Sequence, residues 1–296
     1  MMTRPWVAQT APGTNADEAY RQCMALLRAH YENFSIASWF LPKTLVPHMA
    51  AIYAFARTTD DLGDEATGDR LAKLDAWKQE FRQCYGGQPH HPYLVALQQT
   101  IAAFVIPPEP FLKLIHANRM DQMQKRYATY DDLLTYCGHS ANPVGHLVLY
   151  VFGYRDAERQ HLSDATCTGL QLVNFWQDVR RDYRMGRIYI PQEDMARFGC
   201  SEETVAQRKA TPEFRRLIAF EVERTRALLT EGLPLLKTVR GNLRLDLALF
   251  SRGGFAVLGA IEAQQYDVLS KRPTVGKAKK VGLLLSACLA LKMGRL

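Results

Sequence analysis

Several features are scarce in this sequence. Its most continuous apolar run, VGLLLSACLALKM at 281–293, is shorter than the ~20 residues a membrane-spanning helix needs. The six cysteines form no CxxC pair and no Cys/His spacing of zinc type, so a structural zinc site is excluded and they read as small core residues in a reducing compartment. The 20 N-terminal residues hold no apolar core of signal-peptide type, from which a cytoplasmic location is expected. Basic residues outnumber acidic ones, 37 to 30, yet they form no long run, which argues against a dedicated nucleic-acid arm and against nucleic acid as a partner. A net charge of +7 still fits a phosphorylated substrate or an acidic membrane surface. Alternating strand patterns are few, and no internal repeat or low-complexity tract occurs.

Long stretches of helical periodicity fill the chain, punctuated by Pro42, Gly86-Gly87, Pro107-Pro108, Gly153, Pro191 and Pro212. The pattern predicts an all-α protein of about ten helices. It is read as a single domain over 1–296, with residues 1–20 flexible. A C-terminal helix is expected within 273–296, either packed on the core or facing a membrane through Lys277, Lys279, Lys280, Lys292 and Arg295.

Gln171, Asn174, Asp178 and Asp182 are spaced by three, four and four. On an α-helix they share one face, each i, i+4 step rising about 6 Å. Their neighbours Leu172, Val173, Phe175, Trp176 and Val179 are apolar, so this is a central helix with a polar stripe rather than a solvated one. Ser163 is a plausible cap and Gly186 the expected stop. A second pair, Asp60 and Asp64 in YAFARTTDDLGDE (53–65), follows the apolar run Met49 to Ala56. Asp131-Asp132 reads instead as an acid pair at a helix N-terminus.

Two acidic i, i+4 pairs on apolar helices suggest facing walls of one cleft. Unneutralised carboxylates there would repel and take up protons. Mg2+ resolves this, since hard oxygens suit it and it bridges readily to substrate phosphates. Arg57, Arg126, Arg181 and Arg187 are candidates to hold a diphosphate. Ionisation of an allylic diphosphate leaves a carbocation that needs a dry apolar chamber. Aromatic faces such as Phe34, Tyr53, Phe55, Phe175 and Trp176 suit its stabilisation.

At YAFARTTDDLGDE (53–65), RYATYDDLLTYC (126–137) and QLVNFWQDVRRDYRMGRIYIP (171–191) the sequence resembles the squalene and phytoene synthase family, over about 30–277. The resemblance implies an isoprenoid synthase fold, one helical domain around a central apolar cavity. It implies Asp60, Asp64, Asn174, Asp178 and Asp182 as metal ligands, and Arg57, Gln171, Arg187 and Tyr189 on the substrate diphosphate. Tyr53, Arg57 and Tyr136 match catalytic positions of the family.

Relatives that form the cyclopropyl intermediate commonly carry Arg just before the second-motif Asp, where Gln177 stands here. The middle segment reads Ala141-Asn142-Pro143-Val144-Gly145, and Pro143 should kink the helix and free a carbonyl. A family Tyr near the C-terminal helix is replaced by Phe255. Together with ENFS-AS in residues 30–42, this set is most similar to the bacterial hopanoid-pathway branch associated with hydroxysqualene synthase. That branch implies ionisation of presqualene diphosphate and capture of the cation by water, with NADPH not expected; Asn142, which can both donate and accept, is a candidate to hold that water. The alternatives are a full squalene, dehydrosqualene or phytoene synthase starting from two molecules of a substrate such as farnesyl diphosphate, and a non-catalytic scaffold. Peripheral membrane contact and pathway-enzyme partners are compatible with the sequence.

Overall fold

The structure, a computed structural model, describes residues 15–29 and 41–293. Every regular element among the described residues is an α-helix. Phe34, most of the 30–42 segment and residues 1–14 of the expected flexible stretch lie outside them. The described residues fall into two compact units, one within 1–123 together with 146–155, the other within 124–145 together with 156–296.

In the first unit α1 (Ala16–Ala29), α3 (Arg70–Gly86), α4 (Pro92–Phe104) and α5 (Glu109–Met123) surround α2 (Val46–Asp64). Two faces of α2 are apolar and both are buried. Ala50, Ala51 and Ala54 let α1 approach closely, while Ile52, Phe55 and Leu62 enter a core with Trp77, Phe81 and Phe111. Pro47 starts α2 where no intrahelical N–H is needed. Asp69 caps α3 by accepting from the Ala72 N–H at 2.9 Å.

The second unit is built on α8 (Ala157–Arg184), with α6 (Tyr130–Ser140), α10 (Glu202–Ala206), α11 (Pro212–Gly232), α12 (Leu235–Thr238) and α13 (Gly241–Ala263) packed on it. Leu172, Val173, Phe175, Trp176 and Val179 of α8 are buried, each contributing about 1.5–3 kcal/mol by leaving water. Thr129 and Asp132 form a reciprocal capping box, as the N-terminal acid pair implied. α6 ends at Ser140 and α7 (Asn142–Val151) begins two residues later, so Pro143 starts a new helix instead of kinking a continuous one. Helix α9 (Gln192–Arg197) follows the second motif, and α14 (Lys277–Lys292) packs on α13.

Two further sequence expectations need correction. Fourteen helices occur among the described residues rather than about ten, because α9, α10 and α12 are too short to show periodicity. Ser163 is buried inside α8; the cap is Asp156, whose carboxylate accepts from the Arg159 N–H at 3.0 Å. Gly186 does terminate α8, with φ 78°, and Arg187 N–H donates back to the Asp182 carbonyl at 2.9 Å.

All six cysteines are free thiols, four of them buried. Among the described residues no helix is long and apolar enough to cross a membrane.

Candidate active site

The two acidic motifs lie in different units. The first closes α2. Asp60 remains open to water, yet the protein crowds it; that desolvation pushes its carboxyl up to about 6, with Asn118 opposing the shift and Asp64 adding to it. Asn118 Nδ2 donates to Asp60 Oδ1 at 3.0 Å, and Gln122 Nε2 donates to the Gly63 carbonyl at 2.9 Å. Both amides come from α5, so α5 buttresses the motif. The glycine between the acids is what permits this, since a Cβ at Gly63 would meet Asn118 Oδ1 at 2.3 Å. Arg57 pairs with Asp61 at 2.5 Å and with Glu65 at 2.8 Å, alongside the expected metal ligands. Tyr53 packs beside Ala50, Ala51 and Ala54.

The second motif runs along α8 as the spacing predicted. Gln171 and Asp182 are half-buried, and Asn174 is exposed between the buried Val173 and Phe175. Asp178 is gripped by Arg272, whose Nε and Nη2 donate to its two oxygens at 2.5 and 2.9 Å. Desolvation, then the neighbouring Asp178 charge, pushes the Asp182 carboxyl up to about 7 against Arg181, Arg187 and Arg272. Gln177 is buried. Its Nε2 donates to the Pro273 carbonyl at 2.6 Å and its Oε1 accepts from Arg272 at 3.0 Å.

Tyr136 and Tyr189 enter an aromatic group with Tyr127 and Phe175, in which Phe175 and Tyr189 stack at 3.8 Å. Two of the aromatics considered for cation stabilisation belong elsewhere. Phe55 is fully buried among Trp77, Phe81 and Phe111, and Trp176 is buried with its Nε1 donating to Thr225 at 2.8 Å. Arg126 binds both oxygens of Glu202 and the Gly186 carbonyl, which fixes the end of α8. Asn142 Oδ1 accepts from Thr168 at 2.9 Å, which orients its carboxamide.

Arg272 and Asn118 were not expected from the sequence. They approach the acids from 94 and 58 residues away, and no local pattern marks either.

Among the described residues no three His, Cys, Asp or Glu side chains gather as a metal shell on their own. Each motif instead offers paired hard oxygens whose mutual repulsion and crowding leave a proton-seeking carboxyl at Asp60 and at Asp182. That partial shell fits Mg2+, which keeps waters and takes oxygens from a substrate phosphate.

Comparison with known proteins bears on this geometry. Residues 27–279 match the squalene/phytoene synthase family. The chain is 30% identical over 282 residues to the 15-cis-phytoene synthase of Synechococcus elongatus, covering 89% of this chain and 90% of that one. Among solved structures it is similar to squalene synthase HpnC from Alicyclobacillus acidocaldarius, at 49% identity and TM-score 0.83 over 85% of this chain and 95% of that one. It is also similar to a dehydrosqualene synthase solved with a ligand, at 26% identity and TM-score 0.85 over 94% and 98%. The all-helical architecture is thus the isoprenoid synthase fold. The chain belongs to the squalene/phytoene synthase family, whose members are prenyl diphosphate-condensing enzymes.

Proposed function

We propose that this enzyme converts presqualene diphosphate to hydroxysqualene, in the route to squalene and hopanoids. The observation that carries the reading is Gln177. At the position where relatives that form the cyclopropyl intermediate have Arg, this chain has a buried amide committed to Pro273 and Arg272. The 49% identity to squalene synthase HpnC supports a place on the squalene-forming side of the family.

Asp60, Asp64, Asn174, Asp178 and Asp182 would hold Mg2+, which when bound neutralises the departing diphosphate. Arg57, Gln171, Arg187 and Tyr189 would bind and orient that diphosphate. Phe175 and Tyr136 would stabilise the cation through their rings, and Tyr53 is assigned with Tyr136 to the catalytic group. Asn142, whose oxygen accepts from Thr168, can still donate through its amide nitrogen, and we assign it the attacking water. No hydride donor is needed when water ends the reaction, so NADPH has no role in this reading. The two units then serve as one functional domain in the cytoplasm.

A second reading, a full synthase joining two prenyl diphosphates, is favoured by the likeness to phytoene synthases. Product analysis separates the two. Presqualene diphosphate with Mg2+ and without NADPH should give an alcohol, and farnesyl diphosphate alone should give no C30 product. Squalene, dehydrosqualene or presqualene diphosphate formed from farnesyl diphosphate would support the second reading.

The product would be nearly insoluble in water, and α14 with its C-cap Met293 leaves Val281, Leu285, Leu289 and Met293 exposed one turn apart behind Lys277, Lys279 and Lys280. We assign this edge to peripheral contact with an anionic membrane, where pathway enzymes would also gather. Leu285→Glu/Leu289→Glu should lower co-sedimentation with anionic liposomes; unchanged binding would remove the assignment.

A further inference from the structure

The connection between α13 and α14 is built to press on the second acidic motif. After Ala263 the chain turns through Gln265 and Tyr266, both left-handed, at φ 51° and 60°. Two consecutive non-glycine residues in that region cost on the order of 1–3 kcal/mol each. Bonds around the turn hold it: Arg215 donates to the Gln265 carbonyl and to the Asp267 carboxylate, and Gln264 Nε2 donates to the Asp267 and Lys271 carbonyls at 3.1 and 3.0 Å. The segment then lands on α8 at three places. Arg180 donates to the Ser270 carbonyl at 2.9 Å, Gln177 donates to the Pro273 carbonyl at 2.6 Å, and Arg272 grips Asp178.

We propose that Arg272 is a stand-in cation at Asp178 and that Gln177 is the positioning residue that keeps it there. The inference rests on the reading of Asp178 as a metal ligand. The Asp178 side chain is only 15% exposed, so without a cation it would be a crowded, unneutralised charge. The Arg272 side chain is 50% exposed, which gives the guanidinium room to withdraw when a divalent ion takes its place. Gln177 contacts both the guanidinium and the next residue's carbonyl, so a displaced Arg272 stays beside the motif instead of leaving with the segment. The buried amide is suited to this because it is neutral. An arginine at position 177 would repel Arg272 and compete for Asp178.

The test uses the full-length protein and Mn2+ alone, with binding read by electron paramagnetic resonance. Arg272→Gln removes the competitor and should tighten Mn2+ binding about fivefold or more. Gln177→Met should tighten it less, in the same direction. The double variant should bind no more tightly than Arg272→Gln, because Gln177 acts through Arg272. A purely structural role for Gln177 would change thermal stability and leave Mn2+ affinity alone. Arg272 is half exposed, so its variant keeps the fold and carries the test even if Gln177→Met does not fold. If Arg272→Gln binds Mn2+ equally or more weakly while Asp178→Asn still weakens binding, the stand-in role fails alone. If the gain in Arg272→Gln persists when Asp178→Asn is added, the ion sits elsewhere, and the metal reading of Asp178 falls with it.

Discussion

The two acidic motifs look alike in the sequence and are supported differently in the fold. Asp60 leans on a neutral amide, Asn118, delivered by a neighbouring helix through a glycine-sized gap. Asp178 leans on a full positive charge, Arg272, delivered by a strained connection. A neutral donor steadies a carboxylate and leaves its charge for a ligand. A guanidinium cancels that charge until something displaces it. On the proposed metal reading, the first motif is ready for a cation and the second must exchange one cation for another.

The largest effects should come from removing one charge in each motif. Asp60→Asn and Asp178→Asn should each lower turnover about a hundredfold or more with helix content by circular dichroism unchanged. Near-normal turnover in either variant would remove that motif from the proposed metal site. Next, Gly63→Ala tests the buttress of the first motif. With no room for the methyl group, Asn118 must move away from Asp60, and a loss of about 1–3 kcal/mol in stability together with lower activity is expected. The equivalent change at Gly186, where the added Cβ meets nothing but the left-handed φ resists it, should affect stability alone. Asn142→Ala should act on product distribution more than on rate, shifting alcohol toward eliminated alkenes, as read by gas chromatography.

The smallest effect is a control outside both motifs. Asp246 on α13 is 5% exposed, and desolvation alone pushes its carboxyl up to about 7. In the folded state it keeps its proton to a higher pH than in the unfolded chain, so its contribution is present at low pH and is lost as pH rises through about 7. Asp246→Asn removes that loss. The variant's melting temperature should gain on the wild type by a few degrees between about pH 5 and pH 8, measured by calorimetry.

The parts of the site that are local in sequence were legible. The i, i+4 acids, the apolar flanks of α8 and the stop at Gly186 all follow from helical geometry, and each appears where expected. The start of α8 was misread because Ser163 and Asp156 are both good caps by type; the helix extends to Asp156, the earlier one. Phe55 and Phe175 were indistinguishable by sequence, since both sit in apolar runs near an acidic motif. Only packing separates them: Phe55 goes to the core with Trp77, while Phe175 stacks on Tyr189. Asn118 and Arg272 were invisible because their bonds to the acids are made by tertiary structure, with no periodic signal on α5 or in the 264–276 connection.

Water capture is the claim on which the proposed chemistry turns. The measurement that tests it is mass spectrometry of the product formed from presqualene diphosphate and Mg2+ in 18O-water, with and without NADPH. The account predicts a C30 alcohol carrying one solvent oxygen, in equal yield under both conditions. An unlabelled product, or squalene that appears only when NADPH is added, would contradict it.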